Sequence, residues 1–312
     1  MEINYKGKAY QLPDVIIVGG AKCGTTSLFY YLDQHEQVFA PAEKEPHFFS
    51  FFNNKPNFSS PADLRTISNI DEYSKLFDKA NSGQLLFEAS TSYLFDYKTT
   101  ISNIKEIYGS DYNKLKIIVL LRNPVDRAWS QYWQFKKFNH EPLSFEESIL
   151  DPIVEKRLKE NWNYYYDYLG FGEYYEQVKN YMDHFQDVKV FIQEDFLEDS
   201  STVVKDCVQF LGLNESQELD TERKFNPSGG IKSNLFGFIW AIKTNSKLLD
   251  FLKHIFPLRV RKKIIYFFME KALSRKTMPL KLKEKLIGKY LDGNNRLYNL
   301  LKIDSIKTWN EI

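Results

Sequence analysis

The stretch VIIVGGAKCGTTSL, Val15 to Leu28, is the key to the whole chain. Its first four residues are β-branched and apolar, which predicts a short strand, Val15 to Val18, buried on both faces. A glycine pair ends the run, Gly24 comes four residues later, and Thr26 to Gln34 reads as a helix opened by the glycine turn. Strand, glycine loop and helix start together make a concave anion site, because backbone N–H groups and the helix dipole converge there without a metal. Counted from Gly19, the spacing nearly matches the nucleotide-binding pattern G-x-x-x-x-G-K-[ST]. The position that should be lysine is Thr25, and the nearby lysine is Lys22, three residues early. A triphosphate needs the later lysine to reach its β- and γ-phosphates, so a kinase or GTPase is disfavoured. A lysine at the crown of the loop instead suits the bridging oxygen of a group leaving a single 5'-phosphate.

Outward from this unit, apolar runs at Leu85 to Glu88, Lys116 to Leu121 and Val188 to Gln193 predict further buried strands. Pro124 to Lys137 and Tyr174 to Phe185 predict helices between them. The alternation predicts an α/β fold: a P-loop-like three-layer α/β/α arrangement around a central parallel sheet. NNKPNFSSP, Asn53 to Pro61, reads as a surface loop near the site. FNPSGGIKS, Phe225 to Ser233, interrupts the pattern, and the residues beyond it read as mostly helical and basic through Tyr290. The expectation is one domain over residues 1–312, with a core at 10–235 and a helical, basic C-terminal extension at 236–312.

The chain has 312 residues, 43% of them hydrophobic, which is ample for a packed core, and a net charge of +1 argues against a global nucleic-acid footprint. Cys23 and Cys207 are too few for a disulfide framework, which fits a reducing compartment and predicts a cytoplasmic location. The N-terminal MEINYKGKAYQLPD has no apolar h-region, and no stretch reaches the roughly 18 apolar residues of a membrane span. A soluble chain, at most peripheral to a membrane, is expected.

A second constellation joins the loop. IIVLLRNPVDRAWSQYW, Ile117 to Trp133, places Arg122 at the carboxyl end of a predicted strand and Ser130 about two helical turns further on. Ligands of open α/β sheets sit at those strand ends, so the Arg122 fork suits a second phosphate, with Ser130 donating to the same group. The bland alternative for Arg122 is a surface salt bridge with Asp126 or a helix-capping role.

With both elements in order, the chain is identified as resembling the sulfotransferases. GGAKCGTTSL is similar to their 5'-phosphosulfate loop and LLRNPVDRAWSQYW to their 3'-phosphate motif. The resemblance continues through FGEYYEQVKNYMDHFQDVKVFIQEDFLED and VQFLGL, covering most of residues 10–235, with a weaker match in YLDGNNRLYNLL. It implies the donor 3'-phosphoadenosine 5'-phosphosulfate (PAPS), the product PAP and no metal. It also implies that Lys22 is the catalytic lysine, that Gly20, Ala21, Cys23, Gly24, Thr25, Thr26 and Ser27 complete the loop around the 5'-phosphate, and that Arg122 and Ser130 hold the 3'-phosphate. Cys23 itself is expected to be a filler of suitable size, not a nucleophile.

APAEKEPHFFS, Ala40 to Ser50, resembles the E-x-H-F-F element of heparan sulfate-type glycan sulfotransferases, which implies Glu45 as base and His47 as helper. If the chain is extended around Pro46, the two side chains share one face. His47 as base, as in small-molecule sulfotransferases, stays open, and so does a plain pairing of Glu45 with Lys44 or Lys55. In FEASTSYLF, Ala89 stands where glycan enzymes often carry a lysine, and Ser50 where they carry an acidic residue. Glu88 is expected to orient the loop lysine or the acceptor and Tyr93 to line the pocket, or else both pack the strand end.

FNPSGGIKSN resembles the late glycine-rich loop of bacterial sulfotransferases, implying donor contacts from Ser228, Gly229, Gly230 and Lys232; a flexible connector is the competing reading. The basic, apolar stretch Lys247 to Lys276, broken by Pro257, is open to three readings: membrane contact, contact with an acidic polymer, or packing on the core. Aromatics in NWNYYYDYLGFGEYY, Asn161 to Tyr175, suit sugar stacking or, for most of them, core packing. The function expected is sulfuryl transfer from PAPS to a hydroxyl or amine, with a saccharide or polysaccharide as first acceptor. The alternatives are a small-molecule kinase and a noncatalytic nucleotide- or glycan-binding protein.

Overall fold

The computed structural model describes residues 1–222 and 277–312, together with the backbone of two short strands, Gly230–Ile231 and Leu273–Ser274. An N-terminal hairpin, β1 (Glu2–Tyr5) and β2 (Lys8–Gln11), turns at Lys6 and Gly7, both with positive φ. It then feeds β3 (Val15–Gly19), the centre of a five-stranded sheet. With β4 (Val38–Phe39), β5 (Leu85–Ala89), β6 (Lys116–Leu121) and β7 (Asp187–Ile192), the order is β4-β5-β3-β6-β7, and every pairing is parallel.

The predicted strands fall within a residue of their observed bounds. The hairpin and the two-residue β4 are additions, too short to show a periodicity. Strand β7 stops at Ile192 because Gln193 opens the helix Gln193–Glu198.

Period-two alternation divides the central strands between two layers. Ile16 and Val18 of β3, with Ile117, Val119 and Leu121 of β6, face the helices Tyr97–Tyr108 and Tyr174–His184. Val15 and Ile17, with Ile118 and Leu120, face the helices Thr25–Leu32 and Ser200–Leu211. All these strand side chains are fully buried, and each such aliphatic contributes about 1.5–3 kcal/mol by leaving water. Burial on both faces is why the strands read as continuous apolar runs.

The C-terminal helix Leu280–Leu301 packs through Leu286, Ile287, Tyr290 and Leu297. Tyr290 Oη donates to the Leu169 carbonyl at 2.8 Å, and Arg296 pairs with Glu176 at 2.9 Å. The tail resemblance, Tyr290 to Leu301, lies on this helix. Ser228, Gly229 and Lys232 lie outside the described residues, as does the basic stretch Lys247 to Lys276 apart from the strand at Leu273–Ser274. The Gly230 backbone pairs with Ser274 in a strand that runs beside the helix Pro124–Lys137. Among the described residues, no helix is long and apolar enough to cross a membrane.

Candidate active site

Because the strands are parallel, their carboxyl ends share one edge, and the segments after β3, β5, β6 and β7 meet there. Gly20 N donates to the Leu120 carbonyl at 2.5 Å and Cys23 N to the Gly20 carbonyl at 3.2 Å, which folds the loop against the end of β6. Gly24 stands just before the helix Thr25–Leu32 at φ 95°, and a Cβ there would lie 3.4 Å from the Phe196 ring. The backbone angle selects glycine, since a Cβ would only come into ordinary contact with the ring. Among the described residues no side chain caps this helix; Ser27 N donates to the Gly24 carbonyl at 3.0 Å, and the N–H groups of Thr25 and Thr26 are the first-turn donors left for an anion. Ala21, Cys23 and Thr25 point inward, whereas Lys22, Gly24, Thr26 and Ser27 are half-buried. The Cys23 thiol lies 3.7 Å from Tyr174 Oη and is pushed up to about 11 by burial, as befits a filler.

Lys22 occupies the crown of the loop in the left-handed region, at φ 68°. Its carbonyl is held by Arg122 Nη1 at 3.4 Å and Gln193 Nε2 at 3.5 Å, and its ammonium donates to Gln134 Oε1 at 2.5 Å. Burial, reinforced by the Arg122 guanidinium, lowers the Lys22 ammonium to about 8. Arg122 follows β6 directly. Its neighbour Asn123 caps the helix Pro124–Lys137 by accepting from Val125 N at 3.0 Å. Among the described residues Arg122 does not pair with Asp126, and it turns to the loop instead. Ser130 lies on that same helix, one turn before Gln134, and its Oγ is buried without a hydrogen-bond partner among the described residues. The fold thus joins Lys22 and Arg122 and leaves Ser130 with an unspent hydroxyl.

Glu45 and His47 are brought together, but not by an extended segment. Both are left-handed, at φ 61° and 54°, on either side of Pro46. Each such conformation costs about 1–2 kcal/mol and persists because tertiary bonds impose it: Glu45 N donates to the Ala89 carbonyl at 3.1 Å, and His47 N to Ser90 Oγ at 3.0 Å. His47 Nε2 lies 3.8 Å from Glu45 Oε2, and its Nδ1 meets Ser92 Oγ at 2.8 Å.

Their environments differ. The Glu45 side chain is 35% exposed and that of His47 3%. Burial alone would raise the Glu45 carboxyl, but Lys44, His47 and Lys22 together hold it below the ordinary carboxylate range. Burial drives His47 down to about 4, so its ring is neutral near pH 7. Lys44 donates to Glu45 Oε1 at 2.5 Å, so the plain pairing weighed for Glu45 is present alongside the contact with His47.

A family model described as a sulfotransferase domain matches residues 12–227. The chain belongs to the sulfotransferase family. This sulfotransferase is 26% identical over 231 residues to the bifunctional heparan sulfate N-deacetylase/N-sulfotransferase 1 of Xenopus laevis, covering 70% of this chain and 24% of that one. It is 28% identical over 182 residues to carbohydrate sulfotransferase 15 of Mus musculus, covering 47% and 32%. The chain therefore spans about a quarter to a third of those relatives' length. Among solved structures, a sulfotransferase from Alicyclobacillus acidocaldarius superposes with a TM-score of 0.70 at 31% identity, over 95% of this chain and 99% of that one.

Two positions of the sulfotransferase depart from expectation. Glu88 and Tyr93 are fully enclosed and reach neither the loop lysine nor the cleft: Glu88 Oε2 accepts from Tyr93 Oη at 2.9 Å and from Tyr73 Oη at 3.0 Å. Strand β5 turns Glu88 into the layer of aromatic side chains, which corrects the acceptor-facing assignment. Ala89 is likewise buried, so a lysine at that position would point into the core. Burial raises the Glu88 carboxyl to about 7, against the opposing hydrogen bonds of Ser90, Tyr93 and Tyr73. Its protonated form therefore stabilises the fold below the ordinary carboxylate range, and that stability is lost as pH rises through about 7. A Glu88→Gln protein should gain on wild type by about 2–4 kcal/mol between pH 5 and 8, read as a widening gap in melting temperature. A constant gap would reject the raised value.

Residues not singled out from the sequence complete the site, Gln134 and Gln193 on Lys22 and Ser90 and Ser92 on His47, and Tyr165 of the aromatic stretch lies edge-on to His47 at 6.1 Å. Of the tyrosine-rich stretch, Tyr166, Tyr168 and Tyr174 are core, whereas Tyr164 and Tyr165 are half-buried. The loop Asn53 to Pro61 packs there too, with Phe58 edge-on to Tyr164 at 6.3 Å.

Proposed function

We propose that this sulfotransferase transfers a sulfuryl group from PAPS to a hydroxyl or amine of a saccharide acceptor, with PAP as the other product. The observation that carries the donor assignment is the junction of Lys22 with Arg122 beside an uncapped helix start and the unspent Ser130 hydroxyl. A nucleotide with an anionic group at each end of its ribose fits that donor set. The loop N–H groups and Lys22 would take the 5' end, and Arg122 and Ser130 the 3'-phosphate. Ser228, Gly229, Gly230 and Lys232 are assigned to the donor by resemblance alone.

Bound PAPS supplies the activated sulfuryl group. Glu45 takes the acceptor proton while the acceptor atom bonds sulfur and the sulfur–oxygen bond to the 5'-phosphate breaks. Lys22 donates to the departing bridging oxygen and offsets the charge that develops there. His47, neutral and held by Ser92, orients the Glu45 carboxylate. The saccharide assignment rests on the activities for which the heparan sulfate and carbohydrate relatives are named and on the E-x-H-F-F resemblance. A cytoplasmic location is part of the same proposal, supported by two free, buried thiols.

Thermal-shift titration tests the donor. PAP at a hundred times its Kd should stabilise the fold by about 2.7 kcal/mol, whereas ATP with magnesium should give no comparable shift. Stabilisation by ATP-magnesium alone would sink the assignment. Labelled PAPS with a panel of saccharides, phenols and small alcohols, followed by mass detection of the added group, tests the acceptor.

A further inference from the structure

Lys44 stands between the base and the phosphate loop. Its ammonium donates to Glu45 Oε1 at 2.5 Å and contacts Thr26 Oγ1 at 3.3 Å, and its side chain is only 14% exposed. Thr26 belongs to the first turn of the helix Thr25–Leu32, the wall of the anion site. One half-enclosed ammonium therefore reaches both the carboxylate assigned as base and the rim on which the donor's 5' end is proposed to lie. A charge-assisted bond of this kind goes to the stronger anion in reach, and a phosphosulfate beside Thr26 competes directly with Glu45 for it.

Resting on the donor assignment above, we propose that Lys44 is a donor-responsive positioning residue. It clamps the Glu45 carboxylate in the free enzyme and transfers its ion pair to the 5' end of bound donor, releasing Glu45 to take the acceptor proton. No proton moves and no covalent bond changes in this exchange; only the partner of the ammonium does.

The groups facing Glu45 define what the exchange does to the base. They are Lys44, His47 at 3.8 Å, Lys22 from the loop after β3, and the Tyr165 phenol from the tyrosine-rich stretch. His47 is neutral and Lys22 rests on Gln134, so among the described residues Lys44 is the cation in direct contact with the carboxylate. Withdrawing it raises the proton affinity of Glu45 only when donor is present. The base is thereby armed by its co-substrate, and productive acceptor binding follows donor binding.

A double-mutant cycle on PAP affinity, measured by titration calorimetry, separates this exchange from a plain surface ion pair. Lys44→Met should weaken PAP binding about tenfold, and Glu45→Gln, by freeing Lys44, should tighten it about fivefold. With Met at 44, Glu45→Gln should change PAP affinity by less than about twofold. Lys44→Arg, which keeps the charge, should restore most of the loss. An equal effect of Glu45→Gln in both backgrounds means general electrostatics and overturns the exchange, as does Lys44→Met with unaltered affinity. Circular dichroism checks each fold, with Lys44→Gln as the second variant should Met disturb it. If wild type binds PAP and Arg122→Ala abolishes binding, an additive cycle rejects the Lys44 exchange alone. If wild type binds no PAP, the donor assignment falls and takes the exchange with it.

Discussion

Lys22→Met is expected to lower turnover about a hundred- to a thousandfold while the fold persists and PAP affinity falls only severalfold. Methionine keeps most of the unbranched stem and the packing at the loop crown but offers no donor to the bridging oxygen. Its loss therefore falls on the transition state, where charge develops, more than on the bound ground state. The pH profile adds a second signature. Burial and Arg122 bring Lys22 down to about 8, and only its protonated form donates. The wild-type kcat/KM for donor should thus decline as pH rises through about 8. In the donor complex the added negative charge holds the proton more tightly, so the corresponding limb of kcat should lie at higher pH. A Lys22→Met enzyme within about threefold of wild-type turnover, or one retaining the basic limb, removes Lys22 from this role.

Glu45→Gln should cost about a hundred- to ten-thousandfold in turnover, with PAP still bound. Glutamine preserves shape, but it carries no charge to hold Lys44 and cannot take a proton. Because Lys44, His47 and Lys22 outweigh burial, Glu45 stays ionised below the ordinary carboxylate range. The wild-type acid limb of kcat/KM should accordingly lie lower than that of a free carboxylate. His47→Asn is the decisive companion. His47 is enclosed and held near 4, so its loss acts through the orientation of Glu45 and should cost only about tenfold. A mild Glu45→Gln with a crippling His47→Asn would reverse the assignment of base and helper.

The elements that position the site were legible because they are local. Four consecutive β-branched residues at Val15 to Val18 can hardly be anything but a doubly buried strand when glycines stop the run, and β6 repeats the pattern from Lys116 to Leu121. Lys22, Arg122 and Ser130 stand next to strand ends or on the first turns of a helix, where a parallel sheet gathers ligands. The segment Glu43 to His47 was not legible in its geometry. An extended course around Pro46 was the natural expectation, yet bonds from the end of β5 hold both Glu45 and His47 at positive φ. Glu88 shows a related limit: its place at a strand end leaves open which layer receives its side chain, and the Tyr73 and Tyr93 hydroxyls draw it inward, the strand-end packing that was one of its two readings.

By itself, then, the amino-acid sequence determined the doubly buried strands, the glycine loop with its early lysine, and the arginine that comes directly after the next strand. Each arises from residues adjacent in the chain: apolar runs, glycine's access to positive φ, and the N–H groups of a helix start. Only the tertiary structure decided that Lys22 rests on Gln134, that Lys44 bridges Glu45 and Thr26, and that Glu88 is sealed among tyrosines. Lys22 and Gln134 lie 112 residues apart, Lys44 and Thr26 18 and Glu88 and Tyr73 15, and these pairings depend on which strand ends become neighbours in the parallel sheet and how far each side chain is removed from water. Both are properties of the packed fold that no local run of residues specifies.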